Sequence, residues 1–167
     1  MVVVSDTSPL NYLVLIGEAE ILPQLFGRVH VPEAVVAELN SPGAPPDVLN
    51  WAASPPAWLV QAVATERLEG DGLERLGAGE REAISLSVQF GPTSLLLIDE
   101  VKGRREAERC SVKYIGTLGL LEKAAVNGLL HLPNALERLL QTTFFITPAL
   151  LKIMLDEDAK RRGIGAR

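Results

Sequence analysis

A chain of 167 residues is long enough to bury a core of its own, and 47% hydrophobic with 22% charged residues excludes the disordered and fibrous classes. The net charge of −5 argues against coating nucleic acid by bulk positive charge, and the lone Cys110 excludes an intrachain disulfide and a thiolate zinc site. The longest apolar runs, such as Leu13–Ile16 and Leu95–Ile98, fall far short of the roughly 20 residues that cross a bilayer, and Met1 to Asp6 holds no basic leader, so a cytoplasmic protein is expected.

Val2–Val4 predicts a buried strand, after which Ser8 is placed to cap a helix opened by Pro9, with Leu10, Leu13 and Val14 inward. Val29–Val31 is a second strand. Pro32 then opens a helix burying Val35, Val36 and Leu39, which stops before Asn40-Ser41-Pro42-Gly43. Pro45-Pro46-Asp47 starts a short helix through Ala53, and Trp58–Val63 is a third strand. The Gly-rich, polar stretch Glu69–Gly79 reads as a mobile connection to a helix over Glu80–Gln89, which Gly91-Pro92-Thr93 stops. Strands over Ser94–Asp99 and Val112–Ile115 follow, with helices over Gly103–Cys110, Thr117–Asn127, Pro133–Leu140 and Pro148–Lys160. Short apolar runs alternating with amphipathic segments predict a mainly parallel sheet covered by helices, a three-layer α/β/α domain.

In such a sheet, ligands bind outside the carboxyl ends of the strands. Asp6 follows the first strand and Asp99 the fourth, so both should emerge on one edge; Glu38, late in its helix, and Glu80, at the start of another, are placed to point back to it. The bland alternatives are that Asp6 caps a helix, that Glu80 complements a helix dipole and that Glu82 is the acid that matters instead. His30 and His131 have no second ligand at metal spacing and read as packing or surface residues, so a metal here must be held mainly by oxygen. Two basic patches stand on the acidic chain. Lys102, Arg104, Arg105, Arg109 and Lys113 face only Glu106 and Glu108 nearby, and Lys160, Arg161, Arg162 and Arg167 lie in a terminal stretch with no acid. Arg104 and Arg105 are either phosphate-holding candidates or partners of Glu106 and Glu108 on a solvated helix. Trp51 and Trp58 read as packing residues rather than a base-stacking platform.

The segments Val3-Val4-Ser5-Asp6-Thr7-Ser8, Val31 to Leu39, Gly79-Glu80-Arg81-Glu82-Ala83-Ile84 and Leu96-Leu97-Ile98-Asp99-Glu100 resemble, in that order, the successive blocks of PIN-domain nucleases. The four acids are 32, 42 and 19 residues apart. Arg104-Arg105-Glu106-Ala107 and Gly116-Thr117-Leu118-Gly119 extend the likeness to a prokaryotic PIN-like branch. The resemblance covers about Met1 to Leu140 and implies a PIN-like nuclease domain over residues 1–141; 142–167, outside the matched part, is read as a helical extension of the same domain. It implies a Mg²⁺ or Mn²⁺ site formed by Asp6, Glu38, Glu80 and Asp99, supported by Thr7, Ser8 and Glu100, with Arg104 and Arg105 against the nucleic acid. It further implies hydrolysis of single-stranded RNA, the role of toxin in a toxin–antitoxin pair and an antitoxin partner; separately, the apolar helical surface after Gly116 exceeds what one sheet face needs, so a homodimer through those helices is expected. A non-catalytic binding module and a structure-specific DNA nuclease are the alternatives. Toxin-type members usually carry Asp where this chain has Glu80. The physics of the residues agrees with a cation: two carboxylates about 5 Å apart repel by about 3 kcal/mol at an effective dielectric near 20, so four ionised ones need compensation.

Overall fold

The computed structural model describes residues 1–163. Its first compact unit, Met1–Thr117, is built on five parallel strands: β1 (Val3–Ser5), β2 (Val29–Val31), β3 (Leu59–Gln61), β4 (Leu95–Leu97) and β5 (Lys113–Ile115), in the order β3-β2-β1-β4-β5. Register pairs Val4 with His30 on one side and with Leu96 on the other. The helices of this unit are α1 (Thr7–Leu15), α2 (Ile21–Phe26), α3 (Glu33–Leu39), α4 (Pro46–Ala53), α5 (Asp71–Glu74), α6 (Ala78–Phe90) and α7 (Val101–Arg109). The chain walks outward from β1 to β3, then crosses back to β4. The reversal of direction lets helices cover both faces of the sheet, the expected three-layer α/β/α arrangement, and α3 packs against α6 as well as against α1 and α4. Because both faces are covered, β1 and β4 are apolar throughout apart from Ser5.

Beneath α6 and α7, Val4, Leu96 and Ile98 pack with Ile84, Leu86 and Ala107. Glu69–Gly79 is more than a connection: α5 lies inside it, because Leu73 and Leu76, three residues apart, are both buried in this core. The unforeseen α2 likewise forms by burying Ile21 and Leu22, and Pro23 is tolerated because the first turn needs no N–H from it. Strand and helix ends elsewhere differ from expectation by a residue or two.

The second unit begins at Leu118 and holds most of α8 (Thr117–Val126), with α9 (Leu132–Leu140) and α10 (Pro148–Arg161). His131 Nδ1 accepts from the Asn134 N–H at 3.4 Å and Thr147 Oγ1 accepts from the Leu150 N–H at 3.2 Å, so side chains cap both later helices. The basic end is partly neutralised from within, since Arg161 and Arg162 fold back on buried Asp158, with Arg162 Nε at 2.7 Å. Arg167 lies outside the described residues. Among the described residues, no helix is long and apolar enough to cross a membrane.

Candidate active site

Strand order reverses between β1 and β4, and the crevice beyond their carboxyl ends is where an open α/β sheet can receive a ligand. Asp6 stands at that point of β1: its N–H still donates to Leu97 O at 2.9 Å, while its side chain begins α1. It occupies the N-cap position yet makes no capping hydrogen bond through its side chain, so the cap does not account for the carboxylate. Only 5% of the residue is exposed. Burial pushes its carboxyl up to about 7 from 3.8; the Thr7 N–H works the other way, and the charges of Glu80, Glu38 and Asp99 push it further up. Four carboxylates from four separate stretches of chain thus share one electrostatic neighbourhood.

Each of the other three is held by short-range chemistry. The last turn of α3 carries Glu38, whose Oε2 accepts from the Thr7 hydroxyl and whose Oε1 accepts from the Gly79 N–H at 3.1 Å. Gly79 permits this approach, because a Cβ there would lie 2.7 Å from Glu38 Oε2. Asp99 lies just past β4, fixed by three donors: the Thr117 N–H at 2.7 Å to Oδ1, and the hydroxyls of Thr117 at 2.8 Å and Ser8 at 2.6 Å to Oδ2. Ser8 is therefore not the helix cap expected of it: α1 already begins at Thr7, and the Ser8 hydroxyl donates to a carboxylate 91 residues away.

Glu80 lies in the first turn of α6. Burial raises its carboxyl to about 7 from 4.5, followed by the charge of Glu100 and a hydrogen bond with it; the Gly77 backbone lowers it and Glu38 raises it. Its Oε2 is buried without a hydrogen-bond partner. Gly103 of α7 leaves room for that oxygen, since a Cβ there would stand 2.6 Å from it. Glu82 has a structural duty instead: its Oε2 accepts from the Ala34 N–H at 2.9 Å and so caps the start of α3.

The open space is a cleft of about 270 Å³ walled by Asp6, Thr7, Ser8, Glu38 and Glu80, with Asn11 and Tyr12 of α1 at its side. Asp99 is reached from it through Ser8. Arg104 and Arg105 part company. Arg104 is half-buried, donates from Nε to Ile98 O at 3.2 Å, and lies 5.5 Å from the Tyr114 ring centroid. Arg105 lines a different cleft, with Lys102 and Arg109. Glu106 and Glu108 bond to Arg109 and Tyr114 rather than to either of them. His30 packs on Phe90, Trp51 packs on Trp58, and neither pair is near the acids' cleft walls.

Among the described residues, no three acidic, histidine or cysteine side chains already stand at metal-ligating separation. The residues nonetheless fit a hard divalent cation. The cleft presents carboxylate and hydroxyl oxygens without thiolate or imidazole, one buried carboxylate oxygen lacks any partner, and burial, reinforced by the neighbouring negative charges, raises two of the carboxyls to about 7. Thr117 and Gly79 were not anticipated as site residues, although Thr117 sits in the Gly-Thr segment directly after β5, on the same edge of the sheet as Asp6 and Asp99.

Comparison with curated proteins and with solved structures found no match. The model of the DUF3368 family, described as a PIN domain, matches residues 2–160. PIN domains are generally nucleases that typically use divalent metals. The acids, the parallel sheet and this match over nearly the whole chain lead to one assignment: the chain belongs to the PIN-domain family.

Proposed function

We propose that this PIN domain is a divalent-metal-dependent endoribonuclease that hydrolyses phosphodiesters of single-stranded RNA, acting as the toxin of a toxin–antitoxin pair. The observation that carries the reading is Asp6, a carboxylate buried at the strand-order reversal among three other acids, where neither capping nor an ion pair accounts for it. In this reading Asp6 and Asp99 hold Mg²⁺ or Mn²⁺, and Glu38 and Glu80 complete its shell through water or a second ion. The bound cation supplies polarisation of the phosphate and a lowered pKa for the attacking water.

The chain's own residues do the rest. Thr117 and Ser8 hold the Asp99 carboxylate in one orientation, leaving lone pairs free on its oxygens. Thr7 and Gly79 do the same for Glu38. Burial, then the charge of Glu100, raises the Glu80 carboxyl to about 7, so a cation bound there would compete with a proton. An antitoxin approaching the cleft with an Arg or Lys would meet the same charge, and the exposed apolar residues Phe145, Leu150 and Ile153 support self-association as a homodimer.

The test is cleavage of a labelled single-stranded RNA, with and without Mn²⁺, by the natural chain and by Asp6→Asn and Asp99→Asn. The reading expects metal-dependent cleavage lost in both variants. No cleavage by the natural chain favours a non-catalytic module, and preference for DNA flaps over RNA at equal salt favours a DNA nuclease.

A further inference from the structure

We infer that the groove between α5 and α7 is a second, cationic subsite that grips phosphates of the RNA strand beyond the acidic cleft. The inference rests on the ribonuclease reading of that cleft and adds where the rest of the substrate lies. The groove has a volume of about 300 Å³ and gathers Arg75, Lys102, Arg105 and Arg109 with two acids, Asp71 and Glu106. Lys102, Arg105 and Arg109 fall three and then four residues apart on α7, so they form one row along a helix face about 10 Å long. Arg75, which ends α5, faces them across the groove.

Charge placement in the groove favours an anion. Glu106 is tucked in, with 13% of its side chain exposed, whereas the side chain of its partner Arg109 is 73% exposed at 3.2 Å. Gly72 makes that possible, because a Cβ there would collide with the Glu106 carboxylate. Arg75, Lys102 and Arg105 are exposed and form no ion pair or hydrogen bond through their side chains among the described residues. Three unpaired cations facing one groove repel one another and favour a polyanion that neutralises them.

Continuity with the cleft identifies the polyanion. Lys102 lies in the first turn of α7, which begins two residues after Asp99 at the carboxyl edge of the sheet, so the basic row starts near that edge and runs away from it along α7. A strand with one phosphate at the acids would carry its following phosphates along this row. On a chain of net charge −5, a polyanionic substrate needs such a local cationic track to approach at all. Guanidinium groups also match phosphate oxygens in pairs.

The experiment measures binding of a fluorescein-labelled single-stranded oligoribonucleotide by anisotropy across a salt series, in Mg²⁺, with the full-length Asp6→Asn protein as non-cleaving parent. Adding Arg75→Ala, Lys102→Ala and Arg105→Ala should weaken binding by about tenfold or more and flatten the log–log salt slope by roughly two, because about 0.7 of slope is lost per single-strand phosphate contact. Arg75→Lys with Arg105→Lys, which keeps the charge, should retain the slope; a purely structural loss would not be rescued this way. Unchanged affinity and slope in the triple alanine variant overturns the inference, as does a parent that binds no RNA, or a triple variant that loses only an acidic protein partner. Loss of RNA binding in the triple variant, alongside a natural chain that cleaves nothing, contradicts the nuclease reading and upholds the groove.

Discussion

Asp99 and Thr117 are joined twice, by the Thr117 N–H to Oδ1 at 2.7 Å and by its hydroxyl to Oδ2 at 2.8 Å. Thr117 is fully buried, so both bonds are shielded from water and the carboxylate is held as a fixed element of the site. Thr117→Val removes the hydroxyl while keeping the side chain's shape and the backbone donor. Mn²⁺ affinity measured by calorimetry should fall about tenfold or more, as when a ligand loses the group that orients it, with thermal stability little changed. Adding Ser8→Ala should deepen the loss. Unaltered affinity in the double variant would show that Asp99 needs no such support.

Gly79→Ala separates the site from the fold. A Cβ at this position intrudes on both Glu38 oxygens, 2.7 and 2.8 Å away, and pushes the carboxylate off the Gly79 N–H. Within a helix, alanine is favoured over glycine by about 1 kcal/mol, so unfolding temperature should hold or rise. RNA cleavage should drop by about tenfold or more. A variant that is both less stable and fully active would contradict this account of Gly79.

The acidic site should also write itself into stability against pH. Asp6 and Glu80 have carboxyls raised to about 7 in the folded chain against 3.8 and 4.5 otherwise, so between those values the folded state binds more protons than the unfolded one. Stability contributed by these groups is therefore full below about pH 4 and is lost as pH rises towards 7. In chelator, Asp6→Asn should flatten this part of the pH profile and be more stable than the natural chain at pH 8 by thermal unfolding. An equally steep profile in the variant would mean that Asp6 is not the strained group.

Much of this molecule was legible from the chain because its core strands are covered on both faces, which turns Val3, Val4, Leu96 and Leu97 into plain apolar runs. Asp6 and Asp99 were legible for the same reason, being the polar residues that end those runs. Less visible were α2, interrupted by Pro23, and α5, hidden in a Gly-rich stretch and marked only by Leu73 and Leu76. The supports of the acids were harder still. Ser8 looks like a helix cap from its neighbours, and only a partner 91 positions on redirects it; Thr117 and Gly79 act over separations of 18 and 41. Arg104 and Arg105, adjacent in sequence, serve different surfaces because successive helical positions point about 100° apart.

Metal dependence should show as heat stability. At pH 8, where the crowded carboxyls are ionised, Mn²⁺ should raise the unfolding temperature of the natural chain more than at pH 5, where protons occupy the same oxygens. An equal rise at both values would place the bound ion away from Asp6 and Glu80.

Calorimetric titration of Mn²⁺ into the full chain at pH 7, repeated in two buffers of different ionisation enthalpy, counts protons as well as ions. The account predicts saturable binding with net proton release, with both signals lost in Asp6→Asn combined with Asp99→Asn. Binding of the same strength in that double variant, or none in the natural chain, would contradict the claim that these carboxylates gather to hold a cation.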